Sequence, residues 1–168
     1  METIVISGDI SRVEADALIT AINSSGMWFG GIDGVIQRSA GSRFHLQAAA
    51  AMPLEHGQTV LAHGNDSQLP FKNVIFVIDD LRGPLNEIIY NGLKAASEAH
   101  YASVTIPTIR MGVMLGVVEK NVNEALSQMA MAIKRFTNDH PQTSISTATF
   151  VVYNDENLRA ALERTLNS

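Results

Sequence analysis

Apolar residues along the chain follow two alternating periodicities. Short runs rich in β-branched residues predict β-strands, and apolar residues recurring at three- and four-residue intervals predict helices. The predicted strands are 3–7, 16–23, 58–62, 73–78, 102–107 and 146–153, with an AsnAspSer turn at 65–67, and the predicted helices are 31–40, 44–52, 85–100, 118–136 and 157–166. Near-continuous apolar strands alternating with amphipathic helices indicate a largely parallel sheet covered on both faces. We therefore expect a three-layer α/β/α sandwich with a ligand site beyond the carboxyl ends of its strands.

Length and composition narrow the class of protein. A chain of 168 residues without linkers or repeats predicts a single domain over 1–168. With 12 Lys and Arg against 17 Asp and Glu, the net charge of -5 argues against binding duplex nucleic acid. It is compatible with binding one small anion through backbone amides. The chain shows no signal-peptide pattern and no apolar run of about 18 residues, so we expect a soluble cytoplasmic domain without a membrane partner.

The sequence gives little support for a metal site or a reactive thiol. Cysteine is absent, and the five histidines are scattered, so they are predicted to be packing or surface residues rather than ligands. Asp79 and Asp80 end a predicted strand, where they could bind a metal, but a solvated strand end is the favoured interpretation. No metal site and no cofactor are predicted.

Three loops that follow predicted strands hold the unusual residues. They are Gly8-Asp9-Ile10, the segment 23–34, and the segment 107–116. Glycines in such loops let backbone N–H groups approach a phosphate, and a helix N-terminus adds a favourable partial charge. Two facing loops of this kind could hold a diphosphate without any lysine. Asp33 and Asn23 each also have a purely structural interpretation, because Asp33 could cap its helix and Asn23 could simply form a turn.

Taken together, these segments resemble the macrodomain family of ADP-ribose-binding domains. The family's GDI segment, DAIVNAAN-like strand, VDGAIHRAAG run and PAISTGVYG loop correspond here to GDI (8–10), DALITAIN (16–23), GGIDGVIQRSAG (30–41) and PTIRMGVM (107–114). The ending VVYNDE (151–156) is also similar. The resemblance covers nearly the whole chain and implies a mixed, mostly parallel six-stranded sheet.

The resemblance also implies a role for each matching residue. Asp9 would accept a hydrogen bond from the adenine amino group, beside Gly8 and Ile10, while Tyr153 and Asn154 would border the adenine. Amides of Gly30, Gly31, Ile32, Ile109, Arg110, Met111, Gly112 and Val113 would bind the diphosphate. Asn23 would hold the distal ribose, and Asp33 would be the polar residue nearest the reacting carbon. Asn23 and Asp33 are therefore the candidate catalytic residues.

The sequence departs from the family pattern mainly near the distal ribose. Trp28-Phe29 replaces the first half of the glycine run, where it would either wall or close the ribose pocket. Arg110-Met111 replaces a Ser-Thr pair, and Met114 stands where an aromatic residue is usual. Arg110 could form a bidentate pair with phosphate or point outward without a role.

Three functions are compatible with the sequence. The leading one is hydrolysis of an ADP-ribosyl bond at the distal ribose, in ADP-ribosylated protein, O-acetyl-ADP-ribose or ADP-ribose-1″-phosphate. The second is a non-catalytic reader of ADP-ribose or a related nucleotide. The third, which the net charge disfavours, is a binder of single-stranded RNA or poly(A). The sequence does not determine the oligomeric state.

Overall fold

The computed structural model describes residues 1–26, 31–65 and 68–168. Its six strands are β1 (Glu2–Ser7), β2 (Ala15–Ile22), β3 (Thr59–His63), β4 (Phe71–Ile78), β5 (Ser103–Pro107) and β6 (Thr147–Val152). Its helices are α1 (Gly31–Ala40), α2 (Arg43–Ala51), α3 (Leu85–Glu98), α4 (Val122–Asp139) and α5 (Glu156–Leu166), with a 3₁₀ turn at Ile10–Arg12. None of the helices in these described ranges is long and apolar enough to cross a membrane.

The strands form one sheet in the order β1-β6-β5-β2-β4-β3. Every neighbouring pair is parallel except β3 and β4, which are antiparallel. The carboxyl ends of five strands therefore meet at one edge, and β1, β5 and β2, after which the three predicted loops begin, are among them. The expected mixed, mostly parallel six-stranded sheet is confirmed.

Both faces of the sheet are buried, which explains the near-continuous apolar strands. Along β2, Leu18 and Ile22 pack with α1 and α2, whereas Ala17 and Ile19 face the cluster formed by α3, α4 and α5. The helices fold because their apolar stripes are covered by these strands. The three-layer α/β/α arrangement predicted from the two periodicities is therefore confirmed.

The largest boundary error in the prediction lies before α4. This helix begins at Val122 rather than residue 118, because the Asn121 side chain caps it by accepting a hydrogen bond from the Glu124 amide at 2.9 Å. Glu119, predicted to be helical, instead lies in the preceding loop with its side chain 3% exposed. The turn predicted at 65–67 lies partly outside the described residues.

Candidate ligand-binding site

A cavity of about 440 Å³ opens at the carboxyl edge of the sheet. Its wall combines residues 8–10 after β1, Thr20 and Ala21 near the end of β2, the first two turns of α1, residues 107–112 after β5, and Val151 and Tyr153 at the end of β6. Described residues from each of the three segments singled out in the sequence therefore line one cavity. This is the position expected for a ligand site in an open α/β sheet.

Asp9 lies in the wall and also begins the 3₁₀ turn. Its Oδ1 accepts hydrogen bonds from the Ser11 amide at 3.0 Å and the Ser11 hydroxyl at 2.7 Å. These bonds, together with the charges of Arg12 and Arg38, hold the pKa of Asp9 below its ordinary value. Asp9 is therefore a carboxylate acceptor at neutral pH. Both bonds from Ser11 fall on Oδ1, whereas Oδ2 makes a longer ion pair with the exposed Arg12 at 3.7 Å, so the capping role does not exclude a ligand contact at Oδ2.

The first turns of α1 contribute both amides and a cation. Gly31, Ile32, Val35 and Arg38 all line the cavity. The first N–H groups of a helix have no acceptor within the helix, so they are available to an anion. Arg38 was not predicted to line the site. Its signal is helical spacing, because residues four and seven positions after Gly31 lie on the same face of a helix.

Three residues of the loop after β5 line the same cavity and have backbone N–H groups without an acceptor among the described residues. The amides of Arg110, Met111 and Gly112 donate no hydrogen bond to any described residue, and all three residues line the wall. Arg110 has a left-handed backbone with φ of 63°, a conformation uncommon for residues other than glycine. The loop therefore contains N–H donors without acceptors in the described part of the chain, and their predicted contact with a diphosphate stays a prediction.

The Arg110 side chain follows neither of the two predicted paths. Its guanidinium is fully buried and makes a bidentate pair with Asp79, with Nη2 donating to Oδ1 at 2.7 Å and Nε donating to Oδ2 at 2.9 Å. Its Nη1 donates to the Gly83 carbonyl at 2.9 Å and to Glu119 Oε1 at 3.0 Å. The two alternatives predicted for this side chain, a bidentate pair with phosphate and an outward orientation, were both wrong. The interpretation of Asp79 as a solvated strand end was also wrong, because Asp79 is 0% exposed.

The two candidate catalytic residues are not among the described residues that line the cavity, although Asp33 follows Ile32 and Asn23 comes two residues after Ala21, both of which line it. Asn23 forms a turn, with Oδ1 accepting from the Ser25 amide at 3.0 Å. Asp33 faces α2, and its Oδ1 lies 3.4 Å from His45 Nε2. Burial raises the pKa of Asp33 and lowers that of His45, so it favours the neutral form of each. Their catalytic roles stay a prediction.

Of the remaining predicted site residues, some line the cavity, some lie near it in sequence, and some fall outside the described residues. Tyr153 lines the cavity and is 77% exposed, so its ring is accessible to a flat ligand. Asn154, Val113 and Met114 adjoin wall residues without lining the cavity themselves. Trp28, Phe29 and Gly30 lie outside the described residues. Within the described part of the chain, no group of three His, Asp or Glu side chains is placed to hold a metal ion.

The fold and the cavity define a three-layer α/β/α domain with a ligand site at the carboxyl edge of its sheet. The family model for the macro domain matches residues 19–125, and the chain belongs to the macrodomain family.

The chain is also similar in sequence to known relatives, and its fold is similar to that of solved structures. The chain is 27% identical over 175 residues to a macro domain-containing protein of Cupriavidus necator, covering 95% of both chains. It is 34% identical over 120 residues to an O-acetyl-ADP-ribose deacetylase of Citrobacter rodentium, covering 65% of this chain and 67% of the relative. A Trypanosoma brucei macrodomain solved in complex with ADP-ribose has a similar fold, with a TM-score of 0.74 and 19% identity over 98% of this chain and 67% of that one.

Proposed function

We propose that this macrodomain binds ADP-ribose in the cavity at the carboxyl edge of its sheet. The observation that carries the proposal is the pairing, around one cavity, of the α1 N-terminus with three backbone amides at 110–112 that have no acceptor among the described residues. Two sets of amide donors suit the two phosphates of a diphosphate. The volume of about 440 Å³ lies in the range of small-molecule sites.

The wall also suggests how the ligand is oriented. Asp9 is ionised at neutral pH and accepts hydrogen bonds, so it can accept one from the amino group of adenine. Tyr153 lies in the same wall and offers an exposed ring for the base. With the phosphates at the amides of α1 and 110–112, the distal ribose extends toward the Asn23 turn.

The acidic composition is consistent with this mode of binding. Of the two arginines in the described wall, Arg110 turns its guanidinium into the protein, so Arg38 contributes the cationic side chain. Amides and a helix dipole provide the rest of the positive potential without a net positive charge. The similar Trypanosoma brucei macrodomain, solved with ADP-ribose, supports the choice of ligand.

We expect ADP-ribose to raise the melting temperature and to bind with a stoichiometry of one. At a concentration 100 times its dissociation constant, the ligand should stabilise the fold by about 2.7 kcal/mol. Thermal shift and calorimetry with ADP-ribose, ADP, AMP and NAD give the affinity and the part of the ligand recognised, with free phosphate and ribose as negative controls. A melting curve unmoved by millimolar ADP-ribose would contradict the proposal.

We expect Asp9→Ala to weaken ADP-ribose binding by about 1.5–3 kcal/mol, the usual contribution of a hydrogen bond to a charged group. The sharpest readout compares ADP-ribose with inosine diphosphate ribose, in which a carbonyl oxygen replaces the adenine amino group. Wild type should prefer ADP-ribose, and Asp9→Ala should lose most of that preference.

Ser11→Ala is the matched control for Asp9, because it removes the hydroxyl that donates to Oδ1 and keeps the carboxylate. It should retain the preference for adenine. If Asp9→Ala lowers only the free energy of unfolding and leaves both affinities unchanged, Asp9 acts as a cap of the 3₁₀ turn and not as a ligand contact.

A second candidate function is hydrolysis of an ADP-ribosyl bond at the distal ribose. It is favoured by relatives named as O-acetyl-ADP-ribose deacetylases, at 34% identity for that of Citrobacter rodentium and 27% for that of Escherichia coli. We propose Asn23 and Asp33 as the residues that carry it, with O-acetyl-ADP-ribose, ADP-ribosylated protein and ADP-ribose-1″-phosphate as the substrates to test. A chain that binds ADP-ribose but turns over none of them is a reader.

A further inference from the structure

A buried ionic cluster lies directly beneath the amide-presenting loop at 110–112. It consists of Arg110, Asp79 and Glu119, whose side chains are 0%, 0% and 3% exposed. Glu119 Oε2 also accepts a hydrogen bond from the Leu85 amide at the start of α3, at 3.0 Å. The Arg110 side chain is therefore hydrogen bonded to Asp79 after β4, to the Gly83 carbonyl and to Glu119 in the segment before α4.

Asp80, the residue after Asp79, is hydrogen bonded to the turn that contains Asn23. Asp80 Oδ1 accepts a hydrogen bond from the Ser24 amide at 2.8 Å, next to Asn23. The Asp80 amide in turn donates to His56 Nδ1 at 2.9 Å. Two adjacent residues after β4 therefore attach two segments that lie far apart in sequence, the Asn23 turn and the loop after β5.

The loop needs such an attachment. Arg110 has a left-handed φ of 63°, which costs free energy in a residue with a Cβ and persists only where the surroundings enforce it. The hydrogen bonds of its guanidinium hold the planar side chain in place, and anchorage of this kind can enforce such a backbone conformation. This conformation is the one in which residues 110–112 line the cavity.

We propose that Arg110 is a positioning residue for the diphosphate and distal ribose, and that with Asp79 and Asp80 it forms a brace that sets the distance between the loop after β5 and the Asn23 turn. This inference rests on the proposed binding of ADP-ribose. The brace keeps the amides of 110–112 ordered before the ligand arrives, so the ligand does not pay the entropic cost of ordering them.

Arg110→Lys tests the brace while keeping the charge. Lysine retains a cation but lacks the planar fork that satisfies Asp79, Glu119 and the Gly83 carbonyl together. We expect the dissociation constant for ADP-ribose to rise about tenfold or more. The constant for AMP should stay within about twofold, because AMP occupies the Asp9 end and lacks the distal groups. Asp80→Asn, a milder change at the second arm, should shift the ADP-ribose constant in the same direction.

Arg135→Lys is the control, at an arginine that is hydrogen bonded but exposed. Arg135 is also a hydrogen-bonded arginine, donating to Asn86 and lying over the Tyr90 ring at 4.6 Å, but it joins α4 to α3 away from the cavity. It should change neither affinity. The proposal is overturned if Arg110→Lys weakens AMP and ADP-ribose binding equally, or if both arginine variants weaken ADP-ribose binding to the same extent. Either result would mean that the cluster contributes only to overall stability.

Hydrogen exchange of the ligand-free protein separates the brace from the proposed function. In Arg110→Lys, the hydrogen-bonded amides of the segment 108–117, those of Ile109, Leu115, Gly116 and Val117, should exchange about tenfold or more faster, while exchange in α5 stays that of wild type. If the wild type binds no ADP-ribose, the proposed function fails and this measurement alone judges the brace. If exchange in 108–117 is unchanged, the brace is wrong even where ADP-ribose binds the wild type.

Discussion

The Arg110→Met variant is expected to have a free energy of unfolding about 3–5 kcal/mol below that of the wild type. Methionine fills much of the arginine's volume but leaves Asp79 and Glu119 buried without their cation. Removing one partner of a buried ion pair is costly because the remaining charge can neither be hydrated nor paired. For a domain of this size, the melting temperature should fall by about 6–20 °C, at roughly 2–4 °C per kcal/mol. Denaturant and thermal unfolding measure both quantities.

A double variant tests whether the loss arises from the unpaired carboxylate. Asp79→Asn combined with Arg110→Met removes both charges of the bidentate pair, so it should lose less stability than the sum of the two single variants. Arg135→Met provides the control for removing an arginine that bridges helices. A loss of less than about 1 kcal/mol in Arg110→Met, as at an exposed ion pair, would show that the cluster is open to solvent in solution.

The architecture follows from local patterns that are present in the sequence. Strands β2 and β4 are apolar on both faces and helices α3 and α4 carry apolar stripes, so periodicity alone predicts a parallel sheet between helical layers. The late start of α4 was predictable as well. Asn121 followed three residues later by Glu124 is a capping signal, which the continuing apolar residues at 117 and 118 obscured.

The sequence predicts which backbone segments line the cavity, but it does not predict the direction of their side chains. Glycines at strand ends indicate where amides can approach an anion, because that depends on residue type and on position along the chain. The orientation of Arg110 depends on partners 31 and 9 residues away, and that of Asp33 depends on His45 on the next helix. Such contacts arise only when the layers assemble, so no local pattern encodes them.

If this macrodomain is a hydrolase, Asp33→Asn is expected to lower turnover of O-acetyl-ADP-ribose by about 10²–10⁴, the range for a positioned acid–base group. Asp33 follows Gly31 and Ile32 of the cavity wall, and burial raises the pKa of its carboxyl toward the range useful for proton transfer near neutral pH. Affinity for ADP-ribose should stay within a few-fold, because the carboxyl would act at the acyl ester, which ADP-ribose itself lacks. Single-turnover assays on O-acetyl-ADP-ribose and mono-ADP-ribosylated protein, beside calorimetry, measure both effects.

His45→Phe separates an acid–base role of Asp33 from a structural one. It keeps an aromatic ring against Phe76, whose centroid lies 5.5 Å from that of His45, and removes the nitrogen beside Asp33. If Asp33 is only the partner of His45, both variants should lower stability and neither should slow turnover. If Asp33 acts on the substrate, Asp33→Asn should abolish most turnover, while His45→Phe retains more of it and shifts its dependence on pH. Absence of turnover by the wild type on every substrate would reject hydrolysis and leave ADP-ribose binding as the function of the cavity.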